Sequence, residues 1–390
     1  MKFYSNNNVY EEAIKRIEFF FDEFEEVIVG FSGGKDSTVT LHLALEVAEK
    51  RNRLPLKVLF IDQEAEWQGT VDYVKKVMYD KRVDPLWFQM PIVITNNAST
   101  EHRYSYCWDE KKKEEWLHPK DPISIKENKY NCERFHDLFK AILQVDFKDK
   151  KTCYLAGVRT QEAPKRLMSL TSGLTYKDIT YGKQLTKALG HYTFYPIYDW
   201  EIKDIWKYIY DNDIEYCKIY DEMYKHGVTI NDMRISNLHH ETSIQALLLV
   251  QEIEPKTWNK ISSRVAGSNS IKHLKGEAFK CPKELPTMFK SWKEYFMHLK
   301  DNLIKEEKYQ IQIMKRIDNL KKYMLNQIVE DDIYRTAIKT ILSSDWDFTK
   351  MINFTTGHQF QSIKRFVNNT ITEDNIEYCR KYNKYIKDLI

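Results

Sequence analysis

The residues best suited to chemistry in this 390-residue chain lie in one short run, VIVGFSGGKDSTVTLHL, positions 27 to 43. It joins an apolar, strand-like segment to a helix-like one through Ser32, Gly33, Gly34, Lys35, Asp36 and Ser37. A loop between a strand and a helix N-terminus aims unpaired backbone N–H groups and the positive end of the helix dipole at one spot, and that spot binds phosphate. Gly33 and Gly34 let the backbone approach an anion closely, and Lys35 adds a positive charge. Two common phosphate patterns do not fit. Aligning Gly34 and Lys35 with G-x-x-x-x-G-K-[ST] puts Val29 at the first glycine and Asp36 at the hydroxyl position. No G-x-G-x-x-G is present, so a dinucleotide fingerprint has no support.

The pattern S-G-G-x-D-S at 32 to 37 resembles the PP-loop of ATP pyrophosphatases and adenine-nucleotide α-hydrolase-like proteins. That resemblance implies that the loop holds the terminal phosphates of ATP, which leave as pyrophosphate after a nucleophile attacks the α-phosphate. Lys35 and Asp36 are then the expected catalytic residues, and Ser32, Gly33, Gly34 and Ser37 the expected nucleotide contacts. Magnesium would offset the charge developing on the leaving pyrophosphate.

Three further stretches resemble the phosphoadenosine-phosphosulfate (PAPS) reductase branch of these proteins. In LFIDQEAEWQGTVDYV, residues 59 to 74, a strand ends in Asp62 before a polar turn. Asp62 is placed for a magnesium-linked or ribose contact, or for capping the following helix. In LAGVRTQEAPKR, residues 155 to 166, Arg159 and Arg166 straddle Glu162. Two guanidinium groups so spaced can clamp phosphate or sulfate bidentately, with Glu162 holding one of them in place. In YPIYDWEIKDIWKYI, residues 195 to 209, Trp200, Ile205 and Trp206 are expected in the core. The stretch from Tyr216 to Ser236, with the run from Trp258 to Asn269, is most similar to a subgroup that includes the IbrA-type regulators. The subgroup carries an added helical C-terminal domain and implies a ParB/sulfiredoxin-like protein partner.

One departure bears on the activity. PAPS reductases use a cysteine in a C-terminal Glu-Cys-Gly-x-His motif, and the chain has no such motif; Cys379, in EYCRKY, lacks the glycine and histidine. None of the six cysteines forms a C-x-x-C, so neither a zinc ribbon, a redox pair nor an iron–sulfur cluster is written here, and free thiols are expected. His239, His240 and Glu241 are adjacent, and adjacent helical residues point about 100° apart, so they are not expected to share one ion. His191 is likewise not expected to bind metal, and the resemblance, which puts this stretch near the nucleotide, implies a phosphate or sulfate contact from His239 or Arg234.

The elements that position these residues follow from periodicity. Apolar spacing predicts a helix over 9 to 24, a buried strand at Val27 to Val29, and a packed helix carrying Val39, Leu43 and Val47. Further strands are predicted at Leu56 to Asp62, Leu86 to Ile92, Cys153 to Gly157 and Tyr192 to Pro196, with helical spacing between them; 96 to 133 is irregular and aromatic. Alternating strands and helices imply an α/β fold with a doubly wound, mainly parallel five-stranded sheet, adenine nucleotide α-hydrolase-like by resemblance. From Ile202 onward the pattern is almost wholly helical, which predicts a nucleotide-binding domain over 1 to 225 and a helical domain over 226 to 390.

Composition sets the outer bounds. With 42% apolar and 30% charged residues and only 12 glycines and 10 prolines, the chain should fold throughout. The first residues are interrupted by charge, so no signal peptide or membrane span is expected there, and a cytoplasmic protein is. A net charge of +3 does not argue for nucleic acid, which needs charge clustered on one face. The expected function is an adenine-nucleotide enzyme that cleaves ATP at the α-phosphate and adenylylates an acceptor. The alternatives are a PAPS-binding sulfonucleotide reductase or sulfotransferase, and a nucleotide-sensing regulator whose basic, aromatic tail meets a protein or nucleic acid.

Overall fold

The computed structural model describes residues 6–96, 104–162, 166–167, 170, 175–186, 190–235, 238, 244–268, 281–324, 327–343, 345–357 and 360–364. Cys379 and the His239, His240 and Glu241 triplet lie outside them.

The chain starts with helix α1 (Val9–Glu23), which buries Ala13, Ile17, Phe20 and Phe21 on one stripe, and whose N-cap Asn8 accepts from the Tyr10 N–H. Strand β1 (Glu26–Gly30) follows, then α2 (Lys35–Lys50), β2 (Leu56–Ile61), α3 (Gln68–Met78) and β3 (Val83–Phe88). A two-stranded antiparallel pair, β4 (Ile92–Thr95) with β5 (Tyr104–Cys107), comes next, then α4 (Phe135–Asp146), β6 (Thr152–Leu155), β7 (Gly182–Thr186) and β8 (His191–Phe194). Helices α5 (Ile202–Asp211), α6 (Ile219–Lys225), α7 (Ile244–Ile253) and α8 (Pro255–Arg264) complete this part of the chain.

The main sheet has six strands in the order β3-β2-β1-β6-β8-β7, all neighbours parallel except β7 against β8. The expected doubly wound sheet is present, with β7 as an antiparallel edge strand beyond the five predicted. β1 is paired on both edges, by β2 and β6, and side chains on both of its faces are buried in separate apolar layers, which is why it reads as an unbroken apolar run. Its side chains alternate: Val27 and Val29 join a core with Phe20, Val39, Leu43, Trp67 and Phe194, while Ile28 joins Leu59, Phe88, Trp108, Leu138 and Ile142 on the other face. At about 1.5–3 kcal/mol for each large apolar side chain removed from water, these two layers supply the main stabilisation of the sheet.

The topology itself marks a place for a ligand. From β1 the chain runs outward through β2 to β3, then returns to β6 on the opposite side of β1. The order reverses between β1 and β6, and the carboxyl ends of the strands at such a switch point are where open α/β sheets hold ligands.

The chain divides into two compact units, 1 to 271 and 272 to 390. In the second, α9 (Trp292–Leu303), α10 (Glu307–Leu320), α11 (Gln327–Leu342) and α12 (Thr349–Thr356) surround a core of Trp292, Phe296, Ile313, Ile317, Ile333, Ala337, Ile338 and Met351. The C-terminal region is helical, as the sequence implied.

Candidate nucleotide-binding site

Between β1 and α2 the backbone turns through Ser32, Gly33 and Gly34. Gly33 has φ +73°, in the left-handed region that favours glycine, and a side chain there would also meet Thr70 Cγ2 at 2.9 Å. Gly34 is the N-cap of α2, so the helix opens at Lys35 with its first N–H groups on the loop. The two serines brace the turn. Ser37 Oγ donates to Gly34 O at 2.9 Å, accepts from the Ser32 N–H at 3.2 Å and lies 3.2 Å from Ser32 Oγ. Among the described residues the N–H groups of Gly33, Gly34, Asp36 and Ser37 have no protein acceptor, while that of Lys35 donates to Tyr220 Oη at 3.1 Å.

Lys35, Asp36 and Ser37 are buried, at 4%, 8% and 6% exposure, while Ser32 is exposed. Lys35 Nζ lies 3.2 Å from Asp36 Oδ2 and donates to Met233 O at 3.2 Å. On its other oxygen Asp36 accepts from Arg159 Nε. Two motifs 123 residues apart are therefore joined by a buried ion pair across the β1–β6 crevice. Arg159, 3% exposed, also donates to Gln161 Oε1 at 3.0 Å. Glu162 sits between both arginines, 4.0 Å from Arg159 and 3.4 Å from the exposed Arg166. Arg234 reaches the same short turn, donating to Glu162 O at 3.3 Å.

Asp62 stands apart from this group. It is fully buried at the end of β2, where it accepts from the Glu64 N–H at 2.9 Å, Gln89 Nε2 at 2.9 Å and Trp87 Nε1 at 3.2 Å. His118 Nε2 lies 3.6 Å away, an ion-pair distance. Burial by itself would raise Asp62 and lower His118, but their mutual charge and these hydrogen bonds reverse both, leaving Asp62 below and His118 above its ordinary value. His191, also fully buried, bonds Phe147 O through Nε2 at 2.9 Å and serves the β8 core. Five cysteines, Cys107, Cys132, Cys153, Cys217 and Cys281, are free thiols.

Several residues at this end of the sheet escaped the sequence reading. Gly157 stands in the quoted stretch that also carries Arg159, and a Cβ there would sit 2.8 Å from Asp36 C, Asp36 O and Ser37 N, so the β6 loop packs on the backbone of the phosphate loop. Glu64, 2% exposed with φ 65°, accepts from Arg264 Nε at 2.8 Å, Arg264 NH2 at 3.0 Å and the Trp108 N–H at 2.7 Å. Glu66, 5% exposed, has no side-chain partner among the described residues, and burial, then the charge of Asp62, pushes its carboxyl well above the usual range. Only the alternating D-x-E-x-E pattern at 62 to 66 hinted at either glutamate.

For magnesium, both aspartates nearest the crevice are already committed to cationic partners or hydrogen-bond donors. Among the described residues no group of three or more His, Cys, Asp or Glu side chains is arranged to hold a metal ion.

A glycine-lined S-G-G-x-D-S loop at the switch point of a doubly wound sheet fits the adenine-nucleotide α-hydrolase-like fold, a class that binds adenine nucleotides. Within that class the chain belongs to the phosphoadenosine phosphosulfate reductase domain family, whose profile matches residues 26–227. A second profile, a domain of unknown function designated DUF3440, matches residues 227–350. The chain is 30% identical over 275 residues to the uncharacterized protein YbdN of Escherichia coli (strain K12), covering 67% of this chain and 66% of that one. It is 28% identical over 231 residues to the uncharacterized protein MJ0973 of Methanocaldococcus jannaschii, covering 59% of this chain and 45% of the relative. The matches thus span less than two thirds of either relative's length. Among solved structures, FMN adenylyltransferase of Candida glabrata with FMN and the ATP analogue AMPCPP aligns with TM-score 0.34 and 16% identity over 56% of this chain and 63% of its own. PAPS reductase of Candida auris, a phosphate complex, aligns with TM-score 0.34 and 13% identity over 62% and 98%. Among the described residues no helix is long and apolar enough to cross a membrane.

Proposed function

We propose that the protein binds ATP with its terminal phosphates on the loop from Ser32 to Ser37 and transfers the adenylyl group to an acceptor, releasing pyrophosphate. The observation that carries this reading is the set of N–H groups on Gly33, Gly34, Asp36 and Ser37, without protein acceptors among the described residues, at the head of α2. In the reaction the acceptor's nucleophilic atom bonds to the α-phosphorus, the bond from that phosphorus to the bridging oxygen breaks, and the electron pair leaves on pyrophosphate. The acceptor's proton goes to solvent. Lys35 and the loop N–H groups would stabilise the charge on the departing oxygens, Ser32 and Ser37 would keep the turn in shape, and Asp36 would orient Lys35 and Arg159. Arg166, steadied by Glu162, would offer a second cationic contact. Asp62 would act at one remove, by fixing the turn after β2. Magnesium would accompany the nucleotide on its own phosphates, the usual way this ion enters such sites.

The reading includes a division of labour near residue 225, supported by the meeting of the two family profiles at 227: nucleotide chemistry before it, a helical domain from 226 to 390 after it. A cytoplasmic setting belongs to the same proposal. Membership of the PAPS reductase family supports one further reading, in which PAPS occupies the crevice with its sulfate or 3′-phosphate on Arg159 and Arg166. Incubation with ATP, magnesium and candidate acceptors should release pyrophosphate above background. Intact ATP binding without pyrophosphate from any acceptor would favour another reaction, and tighter calorimetric binding of PAPS than of ATP would favour the second reading.

A further inference from the structure

The loop that should receive phosphate is held by the protein's own oxygens. Tyr220 Oη accepts from the Lys35 N–H at 3.1 Å, and the backbone N–H of Ile235 faces the same hydroxyl. Two backbone N–H groups thus converge on one phenolic oxygen at the head of α2. Lys35 Nζ donates to the main-chain oxygen of Met233 at 3.2 Å and lies 5.3 Å from the centre of the Tyr220 ring. The apolar side of the same segment closes over the turn: Ile235 would stand 3.9 Å from a side chain at either Gly33 or Gly34. Just beyond, Leu238 N–H donates to Ala65 O at 2.9 Å, tying the segment to the turn after β2.

We propose that Tyr220 and the Met233 carbonyl form a latch on the phosphate loop, and that an anion binds by exchange, its oxygens replacing the tyrosine hydroxyl at Lys35 N–H and the carbonyl at Lys35 Nζ. The inference rests on the reading of this loop as a phosphate site. The physical basis is a difference in hydrogen-bond strength. In the latched state the Lys35 N–H meets a neutral phenolic oxygen, and Lys35 Nζ, already beside the Asp36 carboxylate, adds only the neutral Met233 carbonyl; phosphate oxygens carry charge, and charge-assisted bonds are roughly twice as strong. Burial pushes the Tyr220 hydroxyl far above its ordinary range, so it stays neutral and cannot imitate a phosphate's charge. The latch therefore yields to an anion but lowers apparent affinity by the fraction of molecules that are open. Met233 and Ile235 lie within the part matched by the DUF3440 profile, residues 227–350.

The test uses the full chain and inorganic pyrophosphate. Tyr220→Phe keeps the ring, its edge contact with Trp206 at 5.4 Å and its place in the core, but removes the oxygen. Calorimetry should show it binding pyrophosphate about five- to tenfold more tightly than the unaltered protein, because the latched state has lost its acceptor. Equal or weaker binding overturns the latch. Amide hydrogen exchange on the unaltered protein gives a second readout that does not depend on the variant's folding. Saturating pyrophosphate should slow exchange across 33 to 37 and speed it across 233 to 235. Slowing at both segments would make Tyr220 and Met233 part of a closed bound state and contradict the proposal. Pyrophosphate binding by neither protein sinks the phosphate reading and the latch together, whereas binding by both with equal affinity sinks the latch alone.

Discussion

At the scale of single residues, Asp36 holds two cations at once. One oxygen faces Lys35 Nζ at 3.2 Å and the other takes the Arg159 Nε–H. Arg159 is 3% exposed, so removing Asp36 leaves a guanidinium buried without its carboxylate. Asp36→Ala should destabilise the fold by about 3 kcal/mol, and Asp36→Asn, which keeps an acceptor, by less. Urea unfolding of the two variants checks the order. The Asp62–His118 pair makes a prediction in pH. His118 titrates above its ordinary value, so its contribution is complete below about pH 6.5 and is lost as pH rises through the raised folded value. Asp62 titrates below its ordinary value, so its contribution is present above about pH 3.9 and is lost as pH falls through the depressed one. His118→Gln should abolish the alkaline decline in melting temperature that starts near pH 6.5; parallel profiles for the two proteins would contradict the assignment.

At the scale of elements, the loops after β1 and β6 meet closely, and Gly157 makes that possible. A Cβ there would lie 2.8 Å from backbone atoms of Asp36 and Ser37, which cannot swing away as a side-chain tip would. Gly157→Ala should therefore shift the phosphate loop, lowering stability by about 1–3 kcal/mol and weakening pyrophosphate binding, both measurable by denaturation and calorimetry. Much of this layer was legible in the amino-acid order. The β1 run is apolar because both faces of a central parallel strand are covered, and S-G-G-x-D-S stands out because a left-handed glycine, a glycine N-cap and a helix head must follow each other there. Other elements hid for physical reasons. Strand β7, GKQLT, sits at the sheet edge, where partial exposure removes the apolar run that marks a buried strand. β3 begins at Val83 rather than Leu86 because Pro85 is tolerated on the other edge of the sheet, with β2 as its neighbour, and a proline argues against a strand when read locally. Arg159 stood out in the sequence by its spacing to Glu162 and Arg166, but its bond to Asp36, 123 positions away, did not.

At the scale of the whole molecule, the part of the chain after residue 227 does more than follow the nucleotide domain. Within the first compact unit, α7 and α8 return to the carboxyl ends of β2 and β5. Glu254 accepts from the Gln68 and Gly69 N–H groups at 2.8 and 2.9 Å, capping α3, and Arg264 clamps Glu64 while donating to Tyr106 O at 2.6 Å. No local pattern announces contacts that span 200 residues, such as Arg264 with Glu64. Arg264→Ala should leave Glu64 buried with little compensation and destabilise this unit by about 3 kcal/mol, and Arg264→Lys should restore only part of it, since lysine cannot supply the fork. In the second unit a cavity of about 840 Å³ is lined by Lys321, Lys322, Lys364, Tyr323 and Gln361, among others, and shares no residue with the phosphate loop. The account of function accordingly stands on the crevice between β1 and β6.

The most direct test of that account is calorimetric titration of inorganic pyrophosphate into the intact protein and into Lys35→Ala. The account predicts saturable one-to-one binding by the intact protein that competes with ATP, and a loss of roughly tenfold or more in affinity for the variant. Binding that is absent from the intact protein, or unchanged by removal of Lys35, would contradict it.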